Sequence, residues 1–110
     1  MSRPRGFRDL AGRTVGVFGV GVEGRAATRA LQAVGAQVVL VDDAANDNSD
    51  VLLTANGGLE ALSSCEVVLK SPGIPRRRDD VVTLSSQVHL TSALEVWLAG
   101  VDRARVIGVT

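Results

Sequence analysis

The feature that most constrains this chain is a glycine-rich turn set between an apolar strand and a helix. Residues 14–20 (TVGVFGV) form a short β-branched run that meets glycine, the signature of a buried strand. Gly19-Val20-Gly21-Val22-Glu23-Gly24 overlaps its end and fits G-x-G-x-x-G. From Gly24 to Val34 the residues Ala26, Ala27, Ala30, Leu31 and Val34 recur at helical spacing. Gly35 then stands where a helix end favours a left-handed residue. Strand, glycine turn and helix in that order open a βαβ unit, and such units imply a parallel sheet.

The alternation continues along the chain. Residues 37–41 predict a second buried strand, and 42–50 (DDAANDNSD) a polar turn. A short strand is expected over 51–54, a short helix over 59–63, and a further strand over 66–70. That strand is closed by Ser71-Pro72-Gly73-Ile74-Pro75. Asp79 or Asp80 is placed to cap a helix through Leu84, and 87–90 suggest a short strand. Thr91 or Ser92 is placed to cap a helix carrying Leu94, Trp97 and Leu98, and 105–110 (RVIGVT) read as a last strand. The expected fold is α/β: a Rossmann-like three-layer domain with about five mostly parallel strands, covered on both faces. Residues 1–13 read as a loose arm, 14–104 as the domain, and 105–110 as the opening strand of a further domain that is cut off.

Composition narrows the function classes. At 110 residues the chain is one domain's worth, and 45% hydrophobic residues suffice for an ordinary core. Twelve basic and twelve acidic residues cancel, which gives no electrostatic case for nucleic acid or for an anionic membrane. Cys65 is the single cysteine and His89 the single histidine, so neither a disulfide framework nor a His/Cys metal site is expected. No apolar run reaches membrane-spanning length, and the basic start lacks the apolar stretch of a signal peptide. The expected location is cytoplasmic.

The glycine turn carries the chemistry. Glycines let backbone N–H groups approach a phosphate at the positive end of a helix. Asp42 lies eighteen residues beyond Gly24 at the end of the second strand, where dinucleotide enzymes place the acid that binds the adenosine ribose. Taken alone, this motif points to NAD(P), with a purely structural turn as the bland alternative. Glu23 restrains that reading. Two like charges about 4 Å apart cost on the order of 1 kcal/mol in water and about 4 kcal/mol at an effective dielectric near 20. Its structural reading is a solvated carboxylate in a helix's first turn.

Other residues receive structural readings. Arg76-Arg77-Arg78 is expected to be a solvated loop, with contact to a substrate phosphate as the alternative. Cys65 reads as a buried thiol and His89 as packed or superficial. Lys70 reads as a surface lysine at a strand end, with approach to a phosphate as its alternative, and Trp97 as core, with an inter-domain contact as its alternative.

Five ordered segments resemble the Mur ligases, and most closely the branch that adds glutamate to UDP-N-acetylmuramoyl-alanine. Residues 69–75 (LKSPGIP) resemble the family's SPGI segment, and 17–27 (VFGVGVEGRAA) its first strand and glycine loop. Residues 39–43 (VLVDD) resemble its second strand, 94–97 (LEVW) its ELEL/F helix, and 106–110 (VIGVT) the strand that leads into its P-loop. The resemblance spans about residues 12–110. It implies a domain that holds the uridine and diphosphate of a UDP-sugar substrate, with ATP, Mg²⁺ and the amino acid handled by the other domains of the same enzyme. There the reaction passes through an acyl phosphate attacked by the amino acid's amine. No catalytic residue is expected in this part.

Carried over by position, the resemblance implies a substrate-binding set. Gly21, Val22, Glu23 and Gly24 lie against the diphosphate, Asp42 and Asp43 near the uracil with Ala44 beside them, and Ser71, Pro72 and Gly73 around the nucleotide. Glu23 stands where the family often has Ser or Thr, and Ala44 where a basic residue is often found nearby. Both departures predict weaker diphosphate contacts. The rivals are an NAD(P)-binding domain of an oxidoreductase and a regulatory or interaction domain without a ligand.

Overall fold

A computed structural model describes residue 4 and residues 6–44 and 50–100. Five strands form one sheet: β1 (Thr14–Phe18), β2 (Gln37–Asp42), β3 (Val51–Leu53), β4 (Val67–Lys70) and β5 (His89–Thr91). Their order is β3-β2-β1-β4-β5 and every pairing is parallel. Four helices connect or follow them: α1 (Val22–Ala33), α2 (Leu59–Ser63), α3 (Asp79–Ser85) and α4 (Ala93–Ala99). The α/β expectation holds. The strand read over 105–110 lies outside the described residues.

The middles of the central strands are apolar because both of their faces are covered, and the polar residues Thr14, Gln37, Asp42 and Lys70 stand at strand ends. On one face, Val15, Val17, Val67 and Leu69 pack with Ala27 and Leu31 of α1, Val96 of α4 and Leu10. On the other, Phe18, Val41 and Val68 pack with Leu62 of α2 and with Val81 and Leu84 of α3. Successive strand residues thus feed opposite cores, as the pleat requires. Part of the expected loose arm belongs to this packing, since Phe7–Leu10 forms a 3-10 turn and Leu10 is fully buried. The arm is drawn in because its apolar residues complete the α1 face.

The order of strands positions the site. Phe18, the last residue of β1, pairs with Val41 on one side and Lys70 on the other. The chain therefore leaves β1 toward β2 on one flank and toward β4 on the other. This reversal of winding leaves a crevice outside the carboxyl ends of the strands, where α/β proteins place ligands.

Helix α4 faces differently from its sequence reading. Val96 is its buried residue, whereas Leu94, Trp97 and Leu98 are 62%, 59% and 53% exposed. Trp97 is not core. Both sides of this helix carry apolar residues, so spacing alone does not choose between them.

Candidate functional site

The three loops expected to meet do meet at one edge of the sheet. Gly19 donates its N–H to the Val41 carbonyl (2.8 Å), and Ser71 donates its own to the Phe18 carbonyl (2.8 Å). A Cβ on Gly19 would lie 2.5 Å from the Ser71 Cβ, so these two loops are in van der Waals contact. Gly19 also has φ +99°, a conformation that costs other residues strain.

Helix α1 begins at Val22, two residues earlier than its apolar pattern suggests, with Gly21 as N-cap and no side chain bonded to its first amides. Those amides are the unsatisfied donors of a helix N-terminus. Gly24 falls inside the first turn and is buried, because a Cβ there would sit 2.2 Å from the Gly19 carbonyl oxygen. Gly21 differs, since a Cβ there would meet nothing within 4 Å. Val22 and Glu23 are exposed, and the Glu23 carboxylate occupies the first turn as its structural reading expected.

Asp42 ends β2 and turns toward the glycine loop. Its Oδ2 accepts the Val20 N–H (2.7 Å) and its Oδ1 accepts the Ala44 N–H (3.1 Å). Each oxygen thus carries a backbone bond, and its remaining lone pairs stay open to a ligand. Ser71 Oγ accepts the Gly73 N–H (3.3 Å), which stiffens the second loop, while Pro72 and Gly73 are exposed.

Two cations that the sequence reading placed at the surface, with a phosphate contact as the alternative, sit among these loops. Lys70 is buried at 8% exposure, and its ammonium donates to the carbonyls of Ser71 (2.9 Å) and Ile74 (2.7 Å). Burial first, and then Arg76, pushes its pKa below the ordinary lysine value, against the opposite pull of Glu95. Surface placement fails here because the SPGI turn folds back over the strand end and offers two carbonyls.

Arg78 is not part of a solvated run. It grips Asp43 with Nη1 (2.5 Å) and Nη2 (3.0 Å), and Asp80 with Nε (2.8 Å) and Nη2 (2.6 Å). Its guanidinium lies 5.4 Å from the centre of the Phe18 ring. Hydrogen bonding from Arg78 holds the Asp43 and Asp80 carboxyls below the usual range, and Asp80 and Asp43 in turn raise the arginine. Arg76 is largely exposed and pairs with Glu95 (3.1 Å), and Arg77 is exposed. A run of three arginines gives no sign of which one is taken up by acids distant in sequence.

The remaining candidates keep their structural roles. Cys65 is buried, and burial raises its pKa. His89 is half-buried on the edge strand, and its Nε2 finds no hydrogen-bond partner among the described residues. No group of three or more His, Cys, Asp or Glu among the described residues is placed to hold a metal ion. None of the described helices is long and apolar enough to cross a membrane.

Hollow space is distributed unevenly. The crevice between the glycine loop and Ser71 is only about 30 Å³, so it does not enclose a ligand. A hollow of about 660 Å³ lies to one side between α3, β5 and the start of α4, and it shares Lys70 and Pro72 with that crevice. An apolar groove of about 400 Å³ runs from Glu23 and Pro72 to Trp97. We weigh the crevice above the larger hollow, because the helix N-terminus and the strand ends converge there.

Two kinds of similarity bear on this geometry. Residues 2–74 match the family described as D-isomer specific 2-hydroxyacid dehydrogenase, NAD binding domain. Along 93% of its length the chain is 40% identical to a UDP-N-acetylmuramoyl-L-alanine–L-glutamate ligase of Micromonospora sp., covering 25% of that protein. It is 38% identical, with the same coverage, to the ligase of that name from Salinispora tropica. A UDP-N-acetylmuramoylalanine–D-glutamate ligase of Chlorobium chlorochromatii is 32% identical over 93% of the chain and 24% of its own length. The chain spans about a quarter of the length of these relatives. No solved structure matches.

Proposed function

The chain belongs to the NAD-binding-domain family over residues 2–74 and, along 93% of its length, to the Mur ligases as their N-terminal domain, and on that premise we propose that it binds the UDP part of a UDP-N-acetylmuramoyl-alanine substrate. The two assignments overlap in the strand–glycine turn–helix that both kinds of domain use. They part beyond residue 74, where only the ligase likeness continues.

The observation that carries the proposal is the convergence of three loops at the winding reversal. Free amides at the start of α1 serve the diphosphate, Gly21 lets it approach closely, and Ser71–Gly73 borders it. Asp42 and Asp43 stand where the nucleoside would lie. Because the crevice is shallow, the ligand would lie across the strand ends and be completed by the other domains of the parent enzyme. In this reading the parent is an ATP- and Mg²⁺-dependent glutamate ligase of peptidoglycan precursor synthesis, working in the cytoplasm. In this reading this part alone carries no ligase activity. The relatives at 38–40% identity are named for L-glutamate, which supports that enantiomer for the parent.

NAD binding is the second reading, favoured by the family match over residues 2–74. Against it stands the ligase likeness, which runs along 93% of the chain while the family match ends at residue 74. Parallel NMR titrations with UDP and NAD separate the two. The expected result is weak UDP binding with shifts at 21–24, 42–44 and 71–73, and still weaker NAD binding. A clear preference for NAD would overturn the proposal.

A further inference from the structure

Backbone bonds from Gly19 to Val41 and from Ser71 to Phe18, with Asp42 on Val20, join the ends of β1, β2 and β4, and they leave Asp43 and the start of α3 to be tied to this arrangement by side chains. Arg78 touches all three regions: the Phe18 ring at the end of β1, Asp43 just beyond β2, and Asp80 at the start of α3, which follows the β4 loop. Through the adjacent peptide, Asp43 is tied to Asp42, which holds the amides of Val20 and Ala44. We propose that Arg78 is a positioning residue for the nucleotide cleft. By clasping Asp43 to the start of α3, it holds the β2 end and the glycine loop in the arrangement that receives the ligand. This rests on the nucleotide-binding reading above.

Two features of the chemistry favour a clasp over a phosphate ligand. The guanidinium faces two carboxylates with one positive charge, which leaves no surplus for an anion. Its planar fork also matches two carboxylates at once, a geometry that a lysine ammonium does not reproduce. The benefit to a ligand is preorganisation, because loops already fixed need not be ordered on binding.

The test measures UDP affinity and amide exchange together in Arg78→Gln, Arg78→Lys, Asp43→Asn and the Arg78→Gln/Asp43→Asn double variant. Each single loss of the clasp should weaken UDP roughly fivefold, since these pairs are partly solvated, with Arg78→Lys in between. The double variant should be no worse than either single one, because both remove the same link. The amides of Val20 and Ala44 should exchange faster while those of Val17 and Leu69 stay unchanged, which shows that the sheet is intact. Additive losses, or tighter binding in Asp43→Asn, would make Arg78 a direct ligand and overturn the proposal. Unchanged exchange at Val20 and Ala44 would overturn it as well. If the unaltered chain does not bind UDP, the nucleotide reading falls, and the exchange rates still decide whether the clasp exists.

Discussion

Each glycine of the turn answers to a different demand. Gly19 needs its positive φ and its contact with Ser71, and Gly24 needs the space against the Gly19 carbonyl. Gly21 meets neither demand; it is the N-cap of α1, and under the proposed function it also leaves room for close approach of the ligand. Gly24→Ala should therefore cost about 1–3 kcal/mol by overpacking. Gly21→Ala should cost about 1 kcal/mol as a poorer N-cap and weaken UDP binding. Chemical denaturation and an NMR titration check both, and a Gly21→Ala variant with unchanged UDP affinity would remove the functional argument. Lys70 makes a second case. Lys70→Met keeps the packing but deprives the Ile74 carbonyl of its donor, with an expected loss of about 1–3 kcal/mol. A variant as stable as the parent chain would mean that relief from burying the ammonium outweighs the lost bonds.

At the scale of elements, the sequence was most legible where burial is two-sided. Strands β1, β2 and β4 announce themselves as β-branched runs, and the glycine turn gives their order. The expected β5 began two residues too early and ended one too soon, because it is a three-residue edge strand with only Leu90 between His89 and Thr91. The start of α1 was hidden by glycines that are poor helix formers elsewhere. The convergence of the three loops followed from parallel strands, whereas the roles of Lys70 and Arg78 depended on contacts between distant segments. Helix α4 offers a test of orientation. Val96→Ala should cost about 1.5–3 kcal/mol, and Trp97→Ala under about 1 kcal/mol, although tryptophan is the larger residue. Denaturation midpoints in the opposite order would mean that the helix faces the other way.

For the molecule as a whole, the two cores are apolar and indifferent to pH, so acid sensitivity must come from the ionised groups joining the loops. Asp43 and Asp80 are the carboxyls whose pKa Arg78 holds down in the folded state. In the unfolded chain they return to about the ordinary value near 4. Between the lowered folded values and that ordinary value, the unfolded chain binds more protons, so stability must fall as pH falls through this window. Above the ordinary carboxylate range the contribution is constant. Arg78→Gln removes the largest cause of both shifts, so its stability should decline less steeply on acidification. Denaturation of both forms from about pH 7 down to about pH 3 should show a gap that narrows as the acids are protonated. Added salt should shrink the gap at neutral pH, because Asp43 is half exposed and screened. A gap that stays the same at every pH would mean that Arg78 stabilises the fold by packing on Phe18, and not through its two carboxylates.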